Sequence, residues 1–145
     1  MISQPRFNTP ELWRGLFPHP KADGNKYDRG HAVILGGPLH STGAAKLAAR
    51  AALRIGAGLV SVACTSEALP AYAATFQAVM TKPVASAKDF ENLIRDPRVR
   101  SVLVGPGAEV TDFTRACSLA ALHEKKPTVL HADGLTVFAK EKESL

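Results

Sequence analysis

Two glycine turns are where this sequence offers chemistry. Gly36-Gly37 ends the apolar run Ala32–Leu35 and leads through a polar loop, Pro38–Thr42, to Gly43-Ala44 at the head of an amphipathic segment. Gly105-Pro106-Gly107 ends a second apolar run, Val102–Val104, ahead of a segment opened by Thr111 or Asp112. A strand that stops at glycines and turns into a helix aims the free N–H groups of the helix's first turn, with the positive end of its dipole, at the carboxyl end of the strand. That place suits a phosphate or another anionic or carbonyl oxygen. Neither turn fits GxGxxG, and no lysine completes a GxxxxGK[ST] loop. Taken singly, each turn serves equally well to let a helix pack closely. As a pair at the carboxyl ends of two parallel strands, they converge on one crevice. A third run, Thr128–Leu130, ends in His131 and Asp133, with no other histidine at catalytic spacing from His131.

The elements that must position these turns are legible as period and punctuation. Ala32–Leu35, the segment Gly43–Ile55 and Leu59–Cys64 read as a βαβ unit with a right-handed crossover and parallel strands. The expected buried helix face is Ala44, Ala48, Ala51, Ala52 and Ile55; Lys46, Arg50 and Arg54 take the other side together with Leu53, and Gly56 and Gly58 supply a left-handed stop. Further on, the pattern predicts a helix over 66–75 capped by Ser66 and Glu67 and interrupted by Pro70, then a strand over 77–84. A helix opened by Ser86 finishes near Asp96-Pro97, a strand follows at Val102–Val104, a helix spans 111–124, and the last strand is Thr128–Leu130. Residues 1–26 read as an arm: Pro5, Pro10, Pro18 and Pro20 punctuate it, Thr9 is an expected N-cap with Pro10 at the first helical position, and Trp13 and Phe17 are spaced to clip onto the main domain. The whole is an α/β chain of about one domain.

Hydrophobic residues make up 46% of the 145, enough for a sizeable core. The formal charge of +5 is scattered over helix faces and element ends, including Lys140 and Lys142, without interleaved aromatics, so it argues against nucleic acid and suits an anionic dinucleotide. No apolar run reaches membrane-span length and no signal-peptide order appears at the start, so the expected compartment is the cytoplasm. Cys64 and Cys117 have no metal spacing and read as small buried residues without a disulfide.

The strings KYDRGHAVILGG, STGAAKLAARAALRIGAGLVSVA, LVGPGAEV and PTVLHADGLTVFA resemble, in order and spacing, the ADP-dependent NAD(P)H-hydrate dehydratase family, the YjeF-type carbohydrate-kinase-like domain. The resemblance runs from about Tyr27 to the last residue. It implies a ribokinase-like three-layer α/β/α fold with a mostly parallel sheet, residues 27–145 forming its front half. It implies a lyase that uses ADP (or ATP) with Mg2+ to return hydrated NADH or NADPH, here abbreviated NAD(P)HX, to the intact cofactor, and that assembles as a homo-oligomer. Carried over residue by residue, Ala44 and Gly107, with Gly43 and Gly105 beside them, contact the nicotinamide nucleotide; Asp133 and His131 are further candidates, and no residue is a metal ligand. His131 stands where the family has an aspartate, and Gln77 or Ala78 where it has a glutamate. The family's nucleotide loop and catalytic aspartate belong to strings absent from these residues, so the resemblance puts catalytic groups beyond Leu145 and leaves the chain inactive by itself. A truncated gene, a fragment and a domain completed by another chain all fit. Two other readings accompany it: a small-molecule kinase of the same superfold, such as a hydroxyethylthiazole or sugar kinase, and a non-catalytic partner chain.

Overall fold

Short apolar runs alternating with helices build a five-stranded sheet in the computed structural model of this chain, which describes residues 6–140. Residues 1–5 and 141–145, with Pro5 in one group and Lys142 in the other, lie outside the described residues. The strands are β1 (His31–Leu35), β2 (Leu59–Cys64), β3 (Met80–Pro83), β4 (Val99–Val104) and β5 (Thr128–Leu130). The helices are α1 (Gly43–Ile55), α2 (Leu69–Ala73), α3 (Ala87–Ile94), α4 (Asp112–His123) and α5 (Asp133–Thr136). All strand pairs are parallel and the order is β3-β2-β1-β4-β5. Among the described residues no helix is long and apolar enough to cross a membrane.

The order explains the layering. Crossovers between parallel strands keep one hand, so the steps from β1 to β2 to β3 lay their helices on one face. The chain then crosses back to β4 and continues outward to β5, which lays the next helices on the other. Two core clusters result. Ala45 and Ala49 of α1 and Ala68 and Tyr72 around α2 pack on Ile34, Val60, Val62 and Cys64. Phe90 and Ile94 of α3 and Cys117 and Ala121 of α4 pack on Val33, Leu35, Val102 and Val104. Strand residues alternate between the clusters, as a sheet covered on both faces requires.

Several expectations shift. On α1 the buried residues are Ala45 and Ala49, with Ala48, Ala52 and Leu53 packed beside them, whereas Ala44, Ala51 and Ile55 face outward. The apolar arc is thus displaced by about one residue from the expected one, and Leu47 and Ile55, not Leu53, are the large apolar side chains left in solvent. Of the two glycines expected to stop α1, Gly56 is left-handed, at φ +113°, while Gly58 serves close packing, since a Cβ there would overlap the Lys26 carbonyl. Helix α2 starts at Leu69 and has Pro70 in its first turn, because a proline lacks the N–H that an earlier start would need; neither Ser66 nor Glu67 caps it. β3 is only four residues long, a half-exposed edge that pairs Ser61–Cys64 alone. β4 begins three residues earlier than expected, with Val99 buried. α3 ends at Ile94, and Ser86 caps it in a reciprocal box with Asp89. In the arm, Thr9 makes no side-chain cap, residues 10–16 form 3-10 turns without a buried residue, and Trp13 and Phe17 stack on each other at 6.3 Å instead of clipping onto the core.

Candidate functional site

The chain leaves β1 toward β2 and leaves β4 toward β5, so the sheet's direction of travel reverses between its two central strands. Loops departing in opposite directions open a crevice at the strands' carboxyl ends, where open α/β sheets take ligands. The loops here are the two glycine turns.

They meet backbone to backbone. A Cβ on Gly37 would overlap the Gly107 carbonyl oxygen and stand 2.6 Å from the Ser41 carbonyl oxygen. A Cβ on Gly107 would stand 2.8 Å from Ser41 Oγ, 3.0 Å from Ser41 O and 3.7 Å from Ala44 Cβ, and Gly107 is left-handed at φ +70°. Any other residue at either place would wedge the turns apart. Ala44 and Gly107 are therefore brought together, as the spacing of their strings implies. Gly43 lies beside them with nothing within 4 Å of a Cβ built on it. Thr42 makes no side-chain cap hydrogen bond to the first-turn amides of α1. Gly105 has a different setting: it is buried, and a Cβ on it would overlap the His131 carbonyl oxygen and lie 2.6 Å from the Gly134 nitrogen, so its lack of a side chain also fits β4 to the turn after β5.

The turn after β5 adds Asp133, whose Oδ2 accepts the Glu109 N–H at 2.9 Å. The His131 side chain is exposed, while its backbone continues the ladder with its N–H on the Val104 carbonyl. Of the two further candidates, His131 and Asp133, only Asp133 has its side chain hydrogen-bonded to the loop after β4. Among the described residues no three His, Cys, Asp or Glu side chains group so as to hold a metal ion.

Three residues absent from the sequence-based candidates shape the site. Tyr72 of α2 is fully buried and its hydroxyl donates to the Gly37 carbonyl at 3.0 Å. Burial, with Cys64 nearby, pushes its pKa up to about 12, so the donor keeps its proton, and Lys46 Nζ sits 5.6 Å from its ring centroid. His40, in the 3-10 turn Leu39–Ser41 ahead of α1, donates from Nε2 to Glu109 Oε1 at 3.0 Å. Tyr72 lies 35 residues from Gly37 and His40 lies 69 from Glu109, separations with no periodic or motif signal. A small cavity lined by Val110, Thr111, Asp112, Arg115 and Val137 adjoins the same rim.

Comparison with known proteins bears on what this crevice holds. The sequence profile of the family described as NAD(P)H-hydrate dehydratase matches residues 32–145. The bifunctional NAD(P)H-hydrate repair enzyme of Coxiella burnetii is 37% identical over 131 residues, covering 88% of this chain and 26% of that protein. A ribokinase-like superfamily protein of Enterococcus faecalis V583 superimposes with a TM-score of 0.72 at 18% identity, over 86% of this chain and 44% of the other. The ADP/ATP-dependent NAD(P)H-hydrate dehydratase of Bacillus subtilis, co-crystallised with ATP and Mg2+, gives 0.71 at 24% identity over 88% and 46%. At those identities the two structures bear on the fold alone, and the fold is ribokinase-like, as the resemblance implies. The chain spans about a quarter of the length of the Coxiella relative and under half of the two solved chains.

Proposed function

This chain belongs to the NAD(P)H-hydrate dehydratase family, and from that premise we propose that its crevice binds hydrated NADH or NADPH during ADP- or ATP-dependent repair of the nicotinamide ring. One observation carries the reading: the turns after β1 and β4 touch through Gly37 and Gly107 at the point where the sheet reverses, directly over the uncapped start of α1. Amides of that first turn, at Gly43 and Ala44, suit phosphate or carboxamide oxygens. Gly105 and Gly107 let the turn after β4 lie close against His131 and Ser41 and so shape the wall of the crevice. Asp133 orients the turn through the Glu109 amide, and His131 flanks it. When bound, the nucleoside di- or triphosphate supplies the phosphoryl group that makes the ring hydroxyl a leaving group. The described residues 6–140 bind and orient; none is assigned as acid or base, and none forms a cage for Mg2+. We place the protein in the cytoplasm and as a self-associating one: among the described residues β5 pairs only with β4 and leaves Val129 60% exposed, an edge open to a partner.

The test incubates the protein with NADH hydrate and ADP or ATP and follows the near-ultraviolet absorbance of the restored ring. Recovery that depends on the added nucleotide and is lost in Gly107→Val supports the reading. ATP-dependent phosphorylation of small alcohols without recovery would place the chain among kinases. Nucleotide binding with neither activity would make it a non-catalytic partner. Light scattering over a concentration series tests self-association, and a constant monomer mass would refute it.

A further inference from the structure

Glu109 connects three of the segments at the carboxyl edge of the sheet, those that follow β1, β4 and β5. Its backbone N–H is held by Asp133 Oδ2 in the loop after β5, at 2.9 Å. Its Oε1 accepts the Nε2–H of His40, in the loop after β1, at 3.0 Å. It belongs to the loop after β4, two residues beyond Gly107, and its φ of +67° is a left-handed conformation that glycine takes freely and a glutamate does not. The residue before Asp133 is similar: Ala132 sits at φ +48°, ψ −116°. The hydrogen bond thus joins Glu109, itself in a conformation L-residues rarely adopt, to Asp133, whose preceding residue Ala132 is in another, and such strain persists where the surroundings over-determine it. The His40 and Glu109 side chains are 74% and 47% exposed, a setting in which an ion pair contributes little to overall stability. What the pair does contribute falls on the relative placement of the loops it joins.

We propose that Glu109 is a positioning residue, a strap across the mouth of the crevice that holds the Gly105–Gly107 turn against Ser41 and Ala44 in the arrangement a nicotinamide nucleotide needs. The inference rests on the reading of the crevice as the nucleotide site. Glu109→Gly deletes the carboxylate while suiting the left-handed backbone, His40→Ala deletes its partner without touching that backbone, and Glu109→Gln keeps an acceptor for His40. Two quantities are measured on each: affinity for NADH hydrate by calorimetry, and amide hydrogen exchange at residues 37–45 and 105–111, with α3 as an internal reference. The expected result is an affinity loss of about threefold in each deletion, the size of an exposed pair's coupling. The double variant should lose no more than the worse single one, and Glu109→Gln should bind within error of the unsubstituted protein. Exchange should quicken at both loops and not in α3. Quicker exchange with unchanged affinity, or losses that simply add in the double variant, would overturn the proposal while leaving the crevice reading in place. An unsubstituted protein that does not bind NADH hydrate at all would overturn both, even if exchange responds.

Discussion

Replacing Gly37 by alanine adds one methyl group at the place where the two turns touch. That methyl would overlap the Gly107 carbonyl oxygen and lie 2.6 Å from the Ser41 carbonyl oxygen, both backbone atoms that no rotamer change can move. Ordinary contact begins near 3.4 Å, so the main chain must give by at least about 0.8 Å at Ser41 and further at Gly107. Overpacking of this kind costs about 1–3 kcal/mol. A domain of this size loses about 2–4 °C of melting temperature per kcal/mol, so a drop of roughly 2–12 °C is expected by circular dichroism. Affinity for NADH hydrate should fall as well, because the same displacement moves the Gly107 turn that borders the crevice. Gly43→Ala is the matched control. Nothing lies within 4 Å of its Cβ position, and the methyl restricts only the unfolded chain, so the melting temperature should rise with a gain of about 0.4–1 kcal/mol. A Gly37→Ala protein that melts with the unsubstituted chain and binds equally well would refute the contact between the turns.

Tyr72→Phe removes the donor to the buried Gly37 carbonyl, and urea denaturation should register a loss of about 1–3 kcal/mol. His31 is buried against Ser61 Oγ at 2.8 Å, and burial, reinforced by Arg98 and Lys82 and opposed by Asp96, lowers its pKa. The unfolded chain therefore takes up this proton first, near pH 6.5, so stability is full above that value and falls as the pH drops toward the lower folded pKa; thermal melts across that window should show a shallower fall in His31→Gln. Burial pushes the Cys64 thiol up to about 11 and Cys117 up to about 12, so neither should react with an aromatic disulfide reagent at neutral pH until the chain unfolds.

The sequence by itself determined the local punctuation. Glycine pairs after apolar runs mark where strands must stop, Ser86 followed by Asp89 marks a helix start, and the bounds of α1, β2 and β5 follow from runs that end at glycines, prolines or polar turns. These features depend on the conformational limits of a few neighbouring residues, and neighbours are what a sequence displays. It put the buried face of α1 about one residue off, on Ala44, Ala48, Ala51, Ala52 and Ile55, because alanines at 44, 45, 48, 49, 51 and 52 make two adjacent arcs equally apolar, and only docking on Ile34, Val60 and Val62 selects the one carrying Ala45 and Ala49. It overextended α2 and β3, because propensity over 66–84 does not reveal that only Met80–Pro83 finds a partner in β2. At the candidate site, the two glycine turns that carry Ala44 and Gly107 are visible in the sequence as strand stops, and their closeness is seen in the structure. Tyr72 beneath Gly37, and Glu109 tied to His40 and Asp133, are not legible in the sequence, since each contact joins segments that only the strand order brings to one edge. That order is settled by which strands bury which faces, a property of the whole sheet that no single stretch of the chain contains.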